Sequence, residues 1–474
     1  MLSKKAISIN IVLSSAVLLM TGCSDRIQVP DGLGDPAKVG VETKSKFDAT
    51  GKTSAKVENN WLRSFHDSKL NRLAQEAIAN NPDLRAASLT VAQAVAYTKL
   101  ANAALQPIVG YNANISDTSA VSGFSSGGIG ASWQPDVWGR VSAQVQSARS
   151  SQRSIEADYA FARQSLVADV ARSWFVLIES TKQAKLATEI VKEYEGTLKI
   201  VKVKYDVGEV LRKDVSQARA DVNTAKDSLI LAKNAVQKSS RALELLLGRY
   251  PGAKLATGVN LPRLSKFPAT GVPSDVLQRR PDLIAKEEQL RSAFFATKDA
   301  ELARLPAFNL SVSAGLNNVD HFIGLLAAGV VGPIYTGGAI EAQIEGANAT
   351  QEKALASYES TILGAFRDVE TTLADEKVLL ARSKVLTLAV ADYKIALQDT
   401  KTQYELGEID LTLVQFQQRI LDASRSTDLH VKSLLLQNRV DMYLALGGGF
   451  DKEDAAGEVK RSIKADRKKE KEAS

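Results

Sequence analysis

The sequence predicts a mixed α/β membrane protein built from two tandem structural repeats of roughly 200 residues. Each repeat gives two strands to a β-barrel shared between chains and long helices to an α-helical barrel that continues it. Three observations predict this: the chain matches itself at one offset, two long tracts lack proline, and short alternating runs recur at equivalent places.

The repeat is read from short landmarks. "YDVGEV" at 205–210 returns as "YELGEI" at 404–409. Tyr205 and Tyr404, Gly208 and Gly407, Glu209 and Glu408, and Gly248 and Gly447 (closing "LLLG" and "LALG") are each 199 residues apart. The same offset carries "NPDL" at 81–84 onto "RPDL" at 280–283, and Pro107 onto Pro306. Shifted by one residue, "PDVWG" at 135–139 falls on "PIYTG" at 333–337. A unit this long exceeds solenoid repeats, so each copy is a substantial structural half.

Proline marks the helices. All 12 prolines lie outside the tracts 136–250 and 334–474, and a helix-interior proline would remove a hydrogen bond and clash with the preceding turn. Long helices are expected over 141–205 and 339–404, the first with a buried stripe of Leu186, Ile190, Tyr194, Leu198, Val201 and Tyr205. Such a helix spans roughly 100 Å at 1.5 Å per residue. Shorter helices are expected over Asp83–Leu105, 211–247, Asp282–Arg304 and 411–446. In each repeat two shorter helices end to end match the long one, so turns 206–210 and 405–410 are hairpins at one end of a rod. Gly208 and Gly407 supply the backbone geometry of the reversal.

Strands are expected at about 107–116, 126–135, 307–316 and 322–332. Val109, Tyr111, Ala113 and Ile115 alternate with Gly110, Asn112 and Asn114. Phe308, Leu310, Val312, Ala314 and Leu316 alternate with Asn309, Ser311, Ser313 and Gly315. "GIGASWQ" sets Ile129, Ala131 and Trp133 against Gly130, Ser132 and Gln134, whereas "FIGLLAAGVVG" is apolar without clear alternation. A soluble hairpin shows the same period. Recurrence in both repeats of an exported chain favours a barrel with lipid outside and water inside. Four strands per chain cannot close, and open edges are not tolerated in lipid. Two chains would give about eight strands with a filled interior, and three about twelve with a pore.

Residues 1–22 read as a signal peptide: Lys4 and Lys5 precede a short apolar run from Ala6 to Met20. Cys23 is the only cysteine, so no internal disulfide forms. Thr21 and Gly22 before it resemble a bacterial lipobox, with Met20 where leucine is preferred, and Cys23 is the expected lipidation site. Ser24, rather than aspartate, resembles outer-membrane routing. The net charge is +6, part of it in the mixed-sign run "KRSIKADRKKEKEAS", which lacks interleaved aromatics and reads as a solvated tail with no nucleic-acid partner. His66, His321 and His430 are far apart, and no phosphate-cradling loop or metal-spaced cluster is present, so neither enzyme activity nor a cofactor is expected.

The motifs "WQPDVWGR", "SLVADVARSWF", "RRPDLIAKEEQL", "GPIYTGGAIEAQIEGA", "ILGAFRDVETTLAD" and "YLALGGGF", with the two turns, span roughly residues 60–450. On these residues the chain resembles the TolC-like outer membrane factor family, in its lipid-anchored branch serving resistance–nodulation–division (RND) tripartite efflux pumps. The resemblance implies a homotrimer with a 12-stranded outer-membrane barrel and a periplasmic helical tunnel, anchored through Cys23 and contacting outer-membrane lipid. It implies a periplasmic adaptor protein and an inner-membrane RND-type pump as partners. It divides the chain into a lipid-anchored N-terminal and equatorial segment 23–64, a first repeat 65–248, an equatorial linker 249–280, a second repeat 281–447 and a charged tail 448–474. Adaptor contact then falls on Gly208, Glu209, Val210 and Leu211, and on Gly407, Glu408, Ile409 and Asp410, where Asp410 also reads as a helix N-cap. The periplasmic gate falls on Asp214, Thr412, Phe416 and Arg419. Phe416 stands where the family often has aspartate. It either forms a hydrophobic plug that gates by excluding water or packs between helices. Two alternatives remain: the exit duct of a type I protein-secretion system, and a periplasmic coiled-coil adaptor lipoprotein.

Overall fold

The computed structural model describes residues 27, 29–30, 33, 40–42, 44–49, 59–118, 121–255, 257, 260–264, 267, 269–317 and 322–450. Cys23, the signal segment and nearly all of the charged tail lie outside the described residues. After a 3-10 turn at Trp61–Phe65 come α1 (Ser68–Asn80), α2 (Pro82–Ala103), β1 (Ile108–Thr118), β2 (Val121–Trp133), α3 (Arg140–Asp206) and α4 (Arg212–Leu246). The second half follows as α5 (Pro273–Arg279), α6 (Pro281–Leu302), β3 (Ala307–Asn317), β4 (Phe322–Val331), α7 (Ala339–Glu405) and α8 (Leu411–Ala445).

The offset of 199 holds at both ends of α2/α6, β1/β3, α3/α7 and α4/α8. It holds for backbone detail too. Gly139 and Gly338, Gly208 and Gly407, and Gly248 and Gly447 all take positive φ. Gly139 thus pairs with Gly338, one residue from the match read off "PIYTG": the chain regains register before α7 begins. The pairs 248 and 447 are required to be glycine twice over. Besides their φ, a Cβ at Gly248 would lie 2.5 Å from the Asn80 carbonyl oxygen and one at Gly447 2.9 Å from Arg279. Both glycines end a 35-residue helix that the following chain must leave at once.

The chain divides into two compact units. The first is chiefly Ser88–Asp158 and Asp282–Ile362 and holds a 4-stranded antiparallel sheet in the order β1-β2-β3-β4. Register aligns Val109, Ala131, Val312 and Leu326 across the sheet, with Tyr111, Ile129, Ala314 and Gly324 two residues along on the same face. The opposite face carries Gly110, Gly130, Ser313 and Leu325. Three strands therefore separate apolar from small or polar residues, while β4 is apolar on both faces. β2 begins at Val121, ahead of the expected 126, because pairing to β1 extends it through Ser-Gly-Phe-Ser-Ser, which has no alternation to read. Trp133 Nε1 donates to the Leu105 carbonyl at 3.1 Å and Trp138 Nε1 to Pro306 at 2.8 Å. Thr98 donates to the Ala148 carbonyl and Thr297 to Ala347, the same bond in both repeats.

The second unit is Thr43–Ala87, Tyr159–Pro281 and the chain from Leu363 onward. Its main core joins Trp61, Phe65, Leu70, Trp174, Phe175, Leu177, Ile178, Leu243, Leu247, Val440 and Tyr443. Asp67 fixes the start of α1 by accepting from the Lys69 and Leu70 amides, and its other oxygen accepts from Trp174 Nε1 at 2.8 Å. Asn81 donates to the Leu246 carbonyl at 2.9 Å, and Arg280 to Ala445 at 3.5 Å, so each repeat ties down the carbonyl end of its 35-residue helix from an equivalent position.

Candidate functional site

The residues expected to carry function lie where α3 turns into α4 and α7 into α8, all within the second unit. The two turns share one backbone solution. The Glu209 amide donates to the Lys204 carbonyl at 2.8 Å and the Glu408 amide to Gln403 at 2.9 Å, each bridging a glycine at φ 80 or 79. Only these left-handed glycines let the chain double back without a β-carbon penalty.

A satellite core holds the turns together. Val201, Val215, Ala218, Leu397, Tyr404, Leu411, Val414 and Leu421 are buried, with Val210 and Ile409 packed against them. Of the eight turn positions expected at the tip, Val210 and Ile409 thus face inward, while Gly208, Glu209, Leu211, Gly407, Glu408 and Asp410 are exposed. Lys204 joins the repeats: its ammonium pairs with Glu209 at 3.0 Å, reaches the Glu405 carbonyl at 3.4 Å and sits 5.3 Å from the Tyr404 ring centroid. The buried Tyr404 hydroxyl has no hydrogen-bond partner. Burial pushes its pKa up, and the charges of Asp214 and Glu209 push the same way.

Asp214 opens α4 as a cap. Its carboxylate accepts from the Leu211 amide at 2.9 Å, and its own amide donates to the Leu211 carbonyl at 3.0 Å. Asp410 occupies the N-cap position of α8 through its backbone, but its side chain makes no capping bond. Thr412, Phe416 and Arg419 are all exposed and repeat at helical spacing, which puts them on one face of α8. Phe416 is 51% exposed. The chain brings Asp214 and this stripe to the same end of the second unit, and Phe416 does not pack into its own chain's core.

A polar cluster one to two turns further along α8 was not foreseen. Asp422 accepts from Gln418 Nε2 at 3.0 Å and from the Tyr194 hydroxyl, and Gln418 also donates to Glu193 at 2.6 Å. Arg425 spans Glu189 at 2.7 Å and Glu193 at 3.3 Å. Burial raises the Asp422 pKa to about 6: donation from Gln418 works against the shift, Glu193 adds to it, and Arg425 and Lys401 oppose it. The Tyr194 phenol is raised by burial and then by Asp422 and Asp221. These partners come from helices more than 200 residues apart in sequence, so no local pattern announces them.

Among the described residues no cluster of three or more His, Cys, Asp or Glu is arranged to hold a metal ion. No described helix is long and apolar enough to cross a membrane.

Comparison with known proteins gives this arrangement its setting. The outer membrane efflux protein family matches residues 73–249 and 272–448, one match for each repeat. The pyoverdine export outer membrane protein OpmQ of Pseudomonas aeruginosa is 29% identical over 93% of this chain and 97% of its own. The toluene efflux pump outer membrane protein TtgC of Pseudomonas putida is 29% identical over 95% and 98%. Among solved structures, the open state of the Neisseria gonorrhoeae MtrE outer membrane channel superposes with a TM-score of 0.79 at 26% identity, covering 87% of this chain and 97% of that one. Such relatives leave no room for the coiled-coil adaptor alternative. The chain belongs to the outer membrane efflux protein family, and it is an outer-membrane component of an efflux system.

Proposed function

We propose that three copies of this chain close a 12-stranded barrel in the outer membrane and continue it as a helical duct into the periplasm, through which small toxic solutes leave the cell. The observation that carries the reading is the sheet itself: 4 strands in sequential order, with β1 and β4 each having one edge unpaired among the described residues and an apolar face exposed. Such edges are stable in lipid only when another copy's strand covers them. Three copies supply enough strands for a water-filled lumen. Val109, Tyr111, Ile129 and Leu326 then face lipid, and the Gly, Ser and Asn positions face water.

In this assembly Cys23 carries the lipid anchor. The turns at 208–211 and 407–410 receive a periplasmic adaptor coupled to an inner-membrane RND-type pump. Asp214, Thr412, Phe416 and Arg419 form the periplasmic gate, with three Phe416 rings as an apolar constriction. Exposure of Phe416 in the single chain supports its meeting other copies rather than its own core. Two measurements test the reading. Detergent-extracted protein should run as a trimer by native mass spectrometry, and a monomer there would end the proposal. In planar bilayers Phe416→Ala should raise resting conductance several-fold, and unchanged conductance would remove Phe416 from the gate.

A further inference from the structure

α3 and α8 meet along a polar seam that lies between two apolar cores. The main core joins Phe175 and Ile178 of α3 to Leu436, Val440 and Tyr443 of α8, and the satellite core joins Val201 to Leu411, Val414 and Leu421. Between them a run of polar contacts crosses from helix to helix. His430 Nδ1 lies 2.8 Å from Glu179 Oε1, and Gln183 and Ser426 exchange two bonds at 3.0 Å. Arg425 spans Glu189 and Glu193, and Gln418 also reaches Glu193. Asp422 belongs to this run: one carboxylate oxygen accepts from Gln418 Nε2, and the carboxylate lies against the Tyr194 hydroxyl. Its other oxygen is buried without a hydrogen-bond partner, as is Gln418 Oε1. An ionised Asp422 therefore holds part of its charge where no donor meets it, which burial makes costly.

We propose that the α3–α8 seam is a proton-dependent joint: a proton on Asp422 holds α8 against α3, and loss of that proton lets the two helices part between the apolar cores. The groups that face Asp422 divide. Glu193 of α3 disfavours its charge, while Lys401 of α7 and Arg425 and Gln418 of α8 favour it. Tyr194 in turn feels Asp221 of α4 and Arg419 of α8. Burial is the largest influence and raises the carboxyl from 3.8 to about 6. A packed seam thus binds the proton more tightly than a parted one, in which Asp422 returns toward its ordinary value. The hold is complete below pH 3.8 and is lost as pH rises through 6. The apolar cores on either side do not titrate and keep the helices in register. The joint is read within a single chain. Its consequence for the duct, a turn end that loosens as the periplasm becomes less acid, rests on the gate reading.

The test compares the purified full-length protein with its Asp422→Asn variant by amide hydrogen exchange at pH 4 and pH 8. Long helices owe much of their protection to packing, so a parted seam exchanges faster. Comparing the two proteins at equal pH cancels the intrinsic exchange rate. At pH 8 the wild type should exchange about fivefold faster than the variant over 189–194 and 418–425, and the gap should close at pH 4. His430→Gln should leave the wild-type response to pH in place. Equal exchange of wild type and Asp422→Asn at pH 8 overturns the joint. An equal gap over 436–443 shows general loosening of α8 and overturns it as well. A response abolished by His430→Gln moves the titration to the Glu179 contact and overturns the role of Asp422. In planar bilayers, wild-type conductance should rise several-fold from pH 4 to pH 8, and that of Asp422→Asn should not. Exchange that responds beside conductance that does not would leave the joint standing and take it out of the gate.

Discussion

The two repeats place their helices at one constant offset, yet they build their interiors from different chemistry. In α3, Trp174, Phe175, Leu177 and Ile178 are fully buried. The equivalent positions in α7 are Leu373, Ala374, Glu376 and Lys377. Where the first repeat has Leu177 and Ser240 at the corresponding positions of α3 and α4, the second has Glu376 paired with Arg439 in α8, the side chains 0% and 3% exposed. Asn438 also donates to Glu376, and the Arg439 guanidinium lies 5.9 Å from the Phe267 ring centroid. Backbone geometry has been kept through duplication because glycine turns and helix ends enforce it locally. Interior chemistry has diverged because an apolar contact and a satisfied ion pair can fill equivalent space.

The largest expected effects come from breaking each interior in its own way. Trp174→Ala removes a fully buried indole and its bond to Asp67, at a cost of about 3–5 kcal/mol. Leu373→Ala at the matching position should cost less, about 2–4 kcal/mol, and the order of the two thermal midpoints checks that the buried aromatic of the first repeat carries more of the packing than its aliphatic counterpart. Glu376→Leu removes the carboxylate paired with a buried guanidinium and should cost about 3 kcal/mol or more. The double variant Glu376→Leu with Arg439→Ser installs the first repeat's pair in the second and should recover most of that loss. No recovery in denaturant unfolding would mean that the two interiors are not interchangeable.

How much of this could be read from residues alone follows the same division. Long helices were legible because proline is absent over whole tracts, and the turns because Tyr-x-x-Gly-Glu recurs at a fixed offset. Phe416, Thr412 and Arg419 came from the family resemblance alone, since helical spacing does not single them out among the other exposed positions of α8. The Glu376–Arg439 pair was not legible, since the two residues are 63 apart in sequence on different helices and only packing brings them together. Asp136 was missed for a related reason. It accepts from the Val141 and Ser142 amides at 2.9 and 2.7 Å, capping α3 from beyond a glycine, and its counterpart before α7 is Tyr335, which cannot do the same.

A smaller effect sharpens the comparison at the helix ends near the linker. Glu244 accepts from the amides of Ala253, Lys254 and Leu255 and holds Ala253 at φ 56. Its counterpart Tyr443 stacks on Trp61 at 5.6 Å instead. Burial raises the Glu244 pKa, but the amide donors outweigh it and the net shift is below the ordinary 4.5. A depressed carboxylate stabilises the fold above its unfolded pKa, and that contribution is lost as pH falls through the folded value. Glu244→Gln should therefore lower the thermal midpoint by about 2–4 °C at pH 7, with the gap to wild type closing below pH 4. A gap independent of pH would mean that shape rather than charge holds the linker.

The smallest effect has the opposite sign. Asp422 lies against Tyr194 and Glu193, and its counterpart in the first repeat is Asn223. Its pKa is raised from 3.8 to about 6, so the folded chain binds a proton that the unfolded chain releases sooner. The stabilising share of that linkage is complete below pH 3.8 and disappears as pH rises through 6, above which the charged carboxylate is held at a cost. Asp422→Asn keeps an acceptor for Tyr194, removes the charge and gives the second repeat the residue already present in the first. Partial solvent access screens the effect, so the gain is on the order of 1 kcal/mol. The thermal midpoint of the variant should exceed that of wild type at pH 8 and converge with it at pH 4. A variant less stable than wild type at pH 8 would show that Arg425 and Lys401 neutralise the ionised carboxylate fully, and that the second repeat has kept its aspartate as a working member of an ion network rather than as a tolerated cost.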